Sequence, residues 1–140
     1  MTIIHPGDYT TNKQKIQEVL QNHQQESGLP VSLEPVRVSL SVADETGRYC
    51  GGLNARINDQ SMHIELLGVI PQSRTLGIGR QLMLEAIATA KAKGCTTVTV
   101  STQDYQAKGF YLKLGFQVFG ELENVPVKQT TKYYLVLYLD

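Results

Sequence analysis

Seven consecutive residues carry the clearest chemical signal in this chain: Arg74-Thr75-Leu76-Gly77-Ile78-Gly79-Arg80, set between a candidate strand and a candidate helix. Glycines at 77 and 79 let backbone approach a ligand closely, because no Cβ stands in the way. The first amides of a helix lack intrahelical partners, and the helix dipole adds positive charge at that end. A phosphate, or the pyrophosphate of a larger cofactor, suits the combination. Two nucleotide motifs fail on the same run. A P-loop needs Gly-Lys-Ser/Thr, and here Gly79 is followed by Arg80 and Gln81. A dinucleotide fingerprint needs a third glycine where Leu82 stands and an acidic residue where Thr102 closes the next strand. A glycine-rich turn without a ligand is the plain alternative, weakened by the conjunction of strand, arginine, glycines and helix.

Proton-transfer groups come from two other places. Alternation along Met62 to Val69 puts Met62, Ile64 and Leu66 on one face and His63, Glu65, Leu67 and Val69 on the other. His63 and Glu65 therefore share a face. Imidazole, or a carboxylate raised by burial, accepts a proton near neutral pH; a polar pair on a partly solvated face explains the two residues as well. Tyr111 lies beside a helical stripe of Ala107, Phe110 and Leu114, where packing and chemistry are both open to it. Cys50 and Cys95 stand in no CxxC or Cys/His cluster, so they read as small buried residues and no metal is expected. His23 has no second ligand at matching spacing and receives no role.

These groups need elements to hold them. Ile3 and Ile4 suggest a short first strand, and Thr11 with Gln14 reads as a capping box opening a helix whose stripe is Ile16, Val19, Leu20 and His23, ending near Gly28. From Val36 the period becomes two, with turn residues at Asp44 to Gly47 and at Asn58-Asp59, giving three meandering strands: Val36 to Val42, Tyr49 to Ile57, and Met62 to Val69. A helical stripe follows, from Ile78 through Leu82, Met83, Ala86, Ile87 and Ala90 to a stop at Gly94. Thr96 to Thr102 alternates as a strand, Gln106 to Leu114 is a short helix, and Phe116 to Leu122 and Thr131 to Leu139 are strands. That order implies an α/β fold with a mixed, mostly antiparallel central sheet and helices on both faces. The strands either side of the long helix should be parallel, joined by a right-handed crossover.

Composition narrows the functional classes. With 140 residues the chain reads as a single domain, 1–140. Thirteen basic and thirteen acidic residues cancel, so nothing in the overall charge steers it toward nucleic acid or an anionic membrane. No basic, apolar leader opens the chain, and no apolar run nears the roughly 18 residues of a membrane span, so a cytoplasmic location is expected.

Pro71 through Met83 resembles the acetyl-CoA pyrophosphate loop of the GNAT acetyltransferase superfamily, whose pattern is Arg/Gln-x-x-Gly-x-Gly/Ala. Ala107-Lys108-Gly109-Phe110-Tyr111-Leu112-Lys113-Leu114-Gly115-Phe116 resembles a second block of that superfamily, an alanine and a Phe-Tyr pair followed by Leu-Gly-Phe. The likeness covers the chain from Val36 to Leu139 and looks closest to small bacterial members. It implies an N-acetyltransferase that moves an acetyl group from acetyl-CoA, as co-substrate, to a primary amine by direct attack. The acceptor is left as a small molecule or a protein amine, and a homodimer is left open. By the resemblance, Arg74 to Arg80 hold the cofactor, the backbone amide of Val69 binds the thioester carbonyl, and Tyr111 protonates the leaving thiolate. The base, or the residues ordering water toward it, comes from His63 or Glu65. Asp104 departs from the pattern, which has asparagine there to contact the pantetheine. The alternative to an enzyme is a non-catalytic CoA-binding sensor or partner module.

Overall fold

The computed structural model describes residues 1–29, 34–103 and 105–140. Two compact units are separable, Met1–Glu34 and Pro35–Asp140.

The first unit holds α1, Tyr9–Ser27. Its N-cap is Asp8, whose carboxylate accepts hydrogen bonds from the Thr11 amide at 2.9 Å and the Thr11 hydroxyl at 2.8 Å. The helix thus opens earlier than the Thr11 capping box implied. Aspartate satisfies the orphan amide itself, and Thr11 becomes a donor inside the first turn. Gly28, left-handed at φ 72°, ends the helix where its glycine suggested. Ile3 and Ile4 lie in no strand, and Ile16, Val19 and Leu20 are exposed, against the buried stripe their spacing suggested.

The second unit is built from β1 (Val36–Ala43), β2 (Tyr49–Asn58), β3 (Ser61–Val69), a 3-10 turn (Pro71–Ser73), α2 (Ile78–Ala92), β4 (Thr97–Thr102), α3 (Tyr105–Lys113), β5 (Gln117–Glu123) and β6 (Thr131–Tyr138). The six strands form one sheet in the order β1-β2-β3-β4-β6-β5, antiparallel except where β3 meets β4. The fold is α/β, and the parallel pair joined through α2 is the one expected from a helix between two strands. Leu82, Met83, Ala86 and Ala90 of α2 bury against Leu53, Ala55, Ile57, Met62, Val98 and Leu135. Each of the larger side chains among these, the leucines, methionines, isoleucine and valine, contributes about 1.5–3 kcal/mol when fully buried. Phe116 and Tyr111 join the same core from the α3 side.

Two irregularities in β3 shape everything that follows. Asn54 of β2 faces Leu66, but its neighbour Ala55 faces Ile64, so Glu65 has no partner and forms a bulge. A bulge reverses the alternation beyond it. Leu66, expected beside Met62 and Ile64, is therefore 70% exposed, while Leu67 and Val69 cross to the core side. The second irregularity is that β4 pairs with β3 only at Ser61, Met62 and His63, although both strands run on. Beyond His63 the sheet is split.

Candidate active site

The split opens into a cleft of about 720 Å³, walled by Leu67, Gly68 and Val69 of β3 on one side and, on the other, by Ala107, Phe110 and Tyr111 of α3 and Leu114 just after it. Its far end is the start of α2, with Arg74, Gly77, Gly79 and Arg80.

Backbone polarity at the β3 wall follows from the ladder. Ile70 donates its amide to the Cys50 carbonyl at 2.9 Å, which makes Ile70 and Cys50 a hydrogen-bonded pair. The preceding pair, Gly51 and Val69, is then of the other kind, and Val69 turns its N–H and C=O away from β2. That side is where β4 has departed. The Val69 carbonyl accepts from Arg74 Nε at 3.3 Å, and its amide faces the cleft.

At the start of α2, Gly77 is left-handed at φ 74°, a conformation that costs other residues, and no side chain caps the helix. The first intrahelical bond runs from Gln81 N–H to Gly77 O at 3.0 Å, so the amides of Ile78, Gly79 and Arg80 have no intrahelical partner. A Cβ on Gly79 would stand 3.5 Å from Phe110 Cζ and 3.8 Å from Val69 Cγ2. Glycine therefore keeps the cleft open between the two walls. Arg74, Arg80 and Lys113 line the cleft, with no carboxylate among its lining residues. Amides, helix dipole and three cations all favour a polyanion.

Tyr111 is 6% exposed, held edge-on by Phe110 at 5.1 Å and Phe116 at 5.6 Å between ring centroids. Among the described residues its hydroxyl has no hydrogen-bond partner, yet none of their buried side-chain polar atoms is left unsatisfied. The phenol therefore reaches the cleft it lines. Burial pushes its pKa above the ordinary tyrosine value, so it stays protonated.

His63 and Glu65 stand on the opposite face of the sheet. His63 Nδ1 lies 2.9 Å from Thr99 Oγ1, and burial, with Arg56 second, lowers its pKa below the usual histidine value. Glu65 pairs with Arg56 Nη1 at 3.2 Å on the exposed surface. The sheet thus presents a phenol on one side of the split and an imidazole and a carboxylate on the other. Such an arrangement can donate a proton to a leaving group and accept one from a nucleophile approaching from the far side. Cys50 and Cys95 are buried, and burial raises the Cys95 pKa, which suits a packing role for it. Among the described residues no cluster of metal-ligating side chains occurs.

A model of the acetyltransferase (GNAT) family matches residues 8–116. The chain belongs to the GNAT family. Over 83 residues it is 35% identical to the blasticidin-S acetyltransferase of Streptomyces morookaense, a match covering 59% of this chain and 61% of that protein. Over 61 residues it is 43% identical to the peptidyl-lysine N-acetyltransferase YjaB of Salmonella typhimurium, covering 44% of this chain and 40% of that one. The chain spans about half the length of these two relatives. The crystal structure of an acetyltransferase from Bacillus cereus superposes with a TM-score of 0.86 at 29% identity, covering 99% of this chain and 98% of that one.

In this GNAT chain the structure brings Val69, Arg74, Gly77, Gly79, Arg80 and Tyr111 to one cleft. The remaining residues of the turn do not line it with side chains. Thr75 and Leu76 are exposed, and Ile78 is buried in the core, leaving only its amide for a ligand. His63 and Glu65 lie outside the cleft lining, and Asp104 lies outside the described residues. Lys113 and Thr99 were not singled out by sequence reasoning. Lys113 gave no signal beyond ending a helix, and Thr99 becomes visible only through the parallel register that sets it beside His63.

Proposed function

We propose that this chain is an acyl-CoA-dependent N-acetyltransferase, acting as one domain over residues 1–140, which transfers acetyl from acetyl-CoA to a primary amine by direct attack. The reading rests above all on one observation, the split beside β3 with uncapped helix amides at one end and a buried, unpartnered phenol along its wall. The pyrophosphate of acetyl-CoA would take the amides of Ile78, Gly79 and Arg80, with Arg74, Arg80 and Lys113 supplying charge. The pantetheine would run along the open edge at Leu67 and Val69, and the thioester carbonyl would accept from the Val69 amide. That donor stabilises the oxygen as negative charge develops on it.

The amine nitrogen then bonds to the carbonyl carbon as the C–S bond breaks. Its proton passes to a base on the far face, and Tyr111 protonates the sulfur. His63 suits the base role better than Glu65, because its ring is kept neutral by burial while Glu65 is already engaged by Arg56. Both the blasticidin-S and the peptidyl-lysine relatives are compatible with an amine acceptor, either a small molecule or a protein side chain. No helix among the described residues is long and apolar enough to cross a membrane, in keeping with a cytoplasmic enzyme. A panel of amines, small polyamines and lysine peptides among them, assayed for release of CoA thiol tests the proposal. Turnover with an amine is the expected result. Tight binding of acetyl-CoA without turnover on any amine would point to the sensor alternative, and no binding at millimolar concentration would sink both.

A further inference from the structure

His63 is the last residue of β3 that β4 pairs, and the residue across that row is Thr99. Registered neighbours present their side chains to the same face, and here Nδ1 of the ring lies 2.9 Å from Thr99 Oγ1 in a partly buried contact. Neither side chain makes another hydrogen bond within the protein among the described residues. The charged groups facing the ring are Arg56, directly across in β2, and Glu65 on its own strand, with Arg37 of β1 opposite Arg56. From β4 come the hydroxyls of Thr97, Thr99 and Ser101, and beyond them in β6 stand Tyr138, Val136 and Tyr134.

The tautomer of a neutral histidine is set by the hydrogen bond that one nitrogen makes. A partly buried threonine can accept at its oxygen while turning its own proton to water. We propose that Thr99 is a positioning residue, whose Oγ1 accepts the Nδ1–H of neutral His63 and leaves Nε2 as the lone pair that takes the amine's proton. The inference rests on the acetyl-transfer reading and adds to it a specific nitrogen and the residue that selects it. Burial of the ring, which disfavours its cation, is in keeping with a neutral resting state.

Nitrogen NMR of the full chain labelled in its histidine rings reads the tautomer without any acceptor, with His63→Gln assigning His63 among the three histidines. The expected result is a proton on Nδ1 in the wild type and in Thr99→Ser, and a proton moved to Nε2 in Thr99→Val. Thr99→Val should also lower the ring's pKa, since the cation is the stronger donor and loses its acceptor. With an amine found by the panel, Thr99→Val should lose about tenfold in kcat/KM at neutral pH, the size of one hydrogen bond, and Thr99→Ser less than about twofold. The acidic limb of the Thr99→Val profile should move to lower pH. A proton on Nε2 in the wild type, or a limb that stays put or moves up, overturns the inference even in an active enzyme. Nδ1 protonated in a chain that acetylates no amine would instead sink the acetyl-transfer reading and the base role with it, leaving the tautomer standing.

Discussion

The two ends of β3 are held in different ways. Ser61 to His63 are paired on both sides, and their face away from α2 is laced by Ser61 with Thr97 at 2.9 Å and His63 with Thr99 at 2.9 Å. Leu67 to Val69 are paired on one side only, and their open edge meets Arg74 and the cleft. Between them sits the bulge at Glu65. The first half is bounded by strands on both sides, and the second turns one backbone edge toward the cleft, where Arg74 meets the Val69 carbonyl. One strand thus carries both a hydrogen-bonded imidazole and an open edge, because a bulge changes its face and the departure of β4 frees its side.

The sharpest way to break that contrast is to fill the open half. Gly79→Asp places a side chain between Phe110 and Val69 and a carboxylate among the amides meant for a pyrophosphate. Acetyl-CoA affinity should fall at least about a hundredfold, or about 2.7 kcal/mol, while the melting temperature holds, because an acidic residue suits a helix start. Calorimetry and a thermal melt check both. Wild-type affinity in the folded variant would remove the phosphate from this site.

Tyr111→Phe follows in size. The ring contacts with Phe110 and Phe116 persist, and among the described residues the lost hydroxyl leaves no partner unpaired. Stability should hold and acetyl-CoA affinity with it, while kcat drops about a hundredfold or more. Turnover within twofold of wild type, with chemistry rate-limiting, would leave Tyr111 a packing residue.

Gly77→Ala acts on conformation rather than space, since a Cβ there would meet nothing within 4 Å but would be held at φ 74°. A cost of about 1–2 kcal/mol is expected, seen as a fall of several degrees in melting temperature. An unchanged melt would mean that the turn relaxes without strain.

The paired half should respond least. Glu65→Gln removes an exposed ion pair with Arg56, expected to change stability by less than about 1 kcal/mol and, with His63 as base, turnover by less than about twofold. His63 itself gives a pH signature. Its pKa is lowered on folding, so the unfolded chain takes up the proton first as pH drops below about 6.5, and folded stability declines. His63→Gln should flatten that decline in urea melts between neutral and mildly acid pH. An equally steep decline would place the titration elsewhere.

Much of this molecule follows from its sequence. The alternation of Val36 to Val42, the stripe from Ile78 to Ala90 and the glycines at 77 and 94 act through neighbours a few residues apart, so from Val36 onward element type and order, and the glycine turn that opens α2, were legible without coordinates. What the tertiary structure decided depends on residues distant along the chain. The bulge at Glu65 is a mismatch between two strands, invisible to the period of either one, and it moved Leu66 out and Val69 in. The split beyond His63 arises because β4 leaves β3 after three rows, and the pairing of His63 with Thr99 exists only across that register. Local pattern fixes which face a residue prefers; which partner meets that face is settled by packing between strands, where a single unpaired residue reverses the answer.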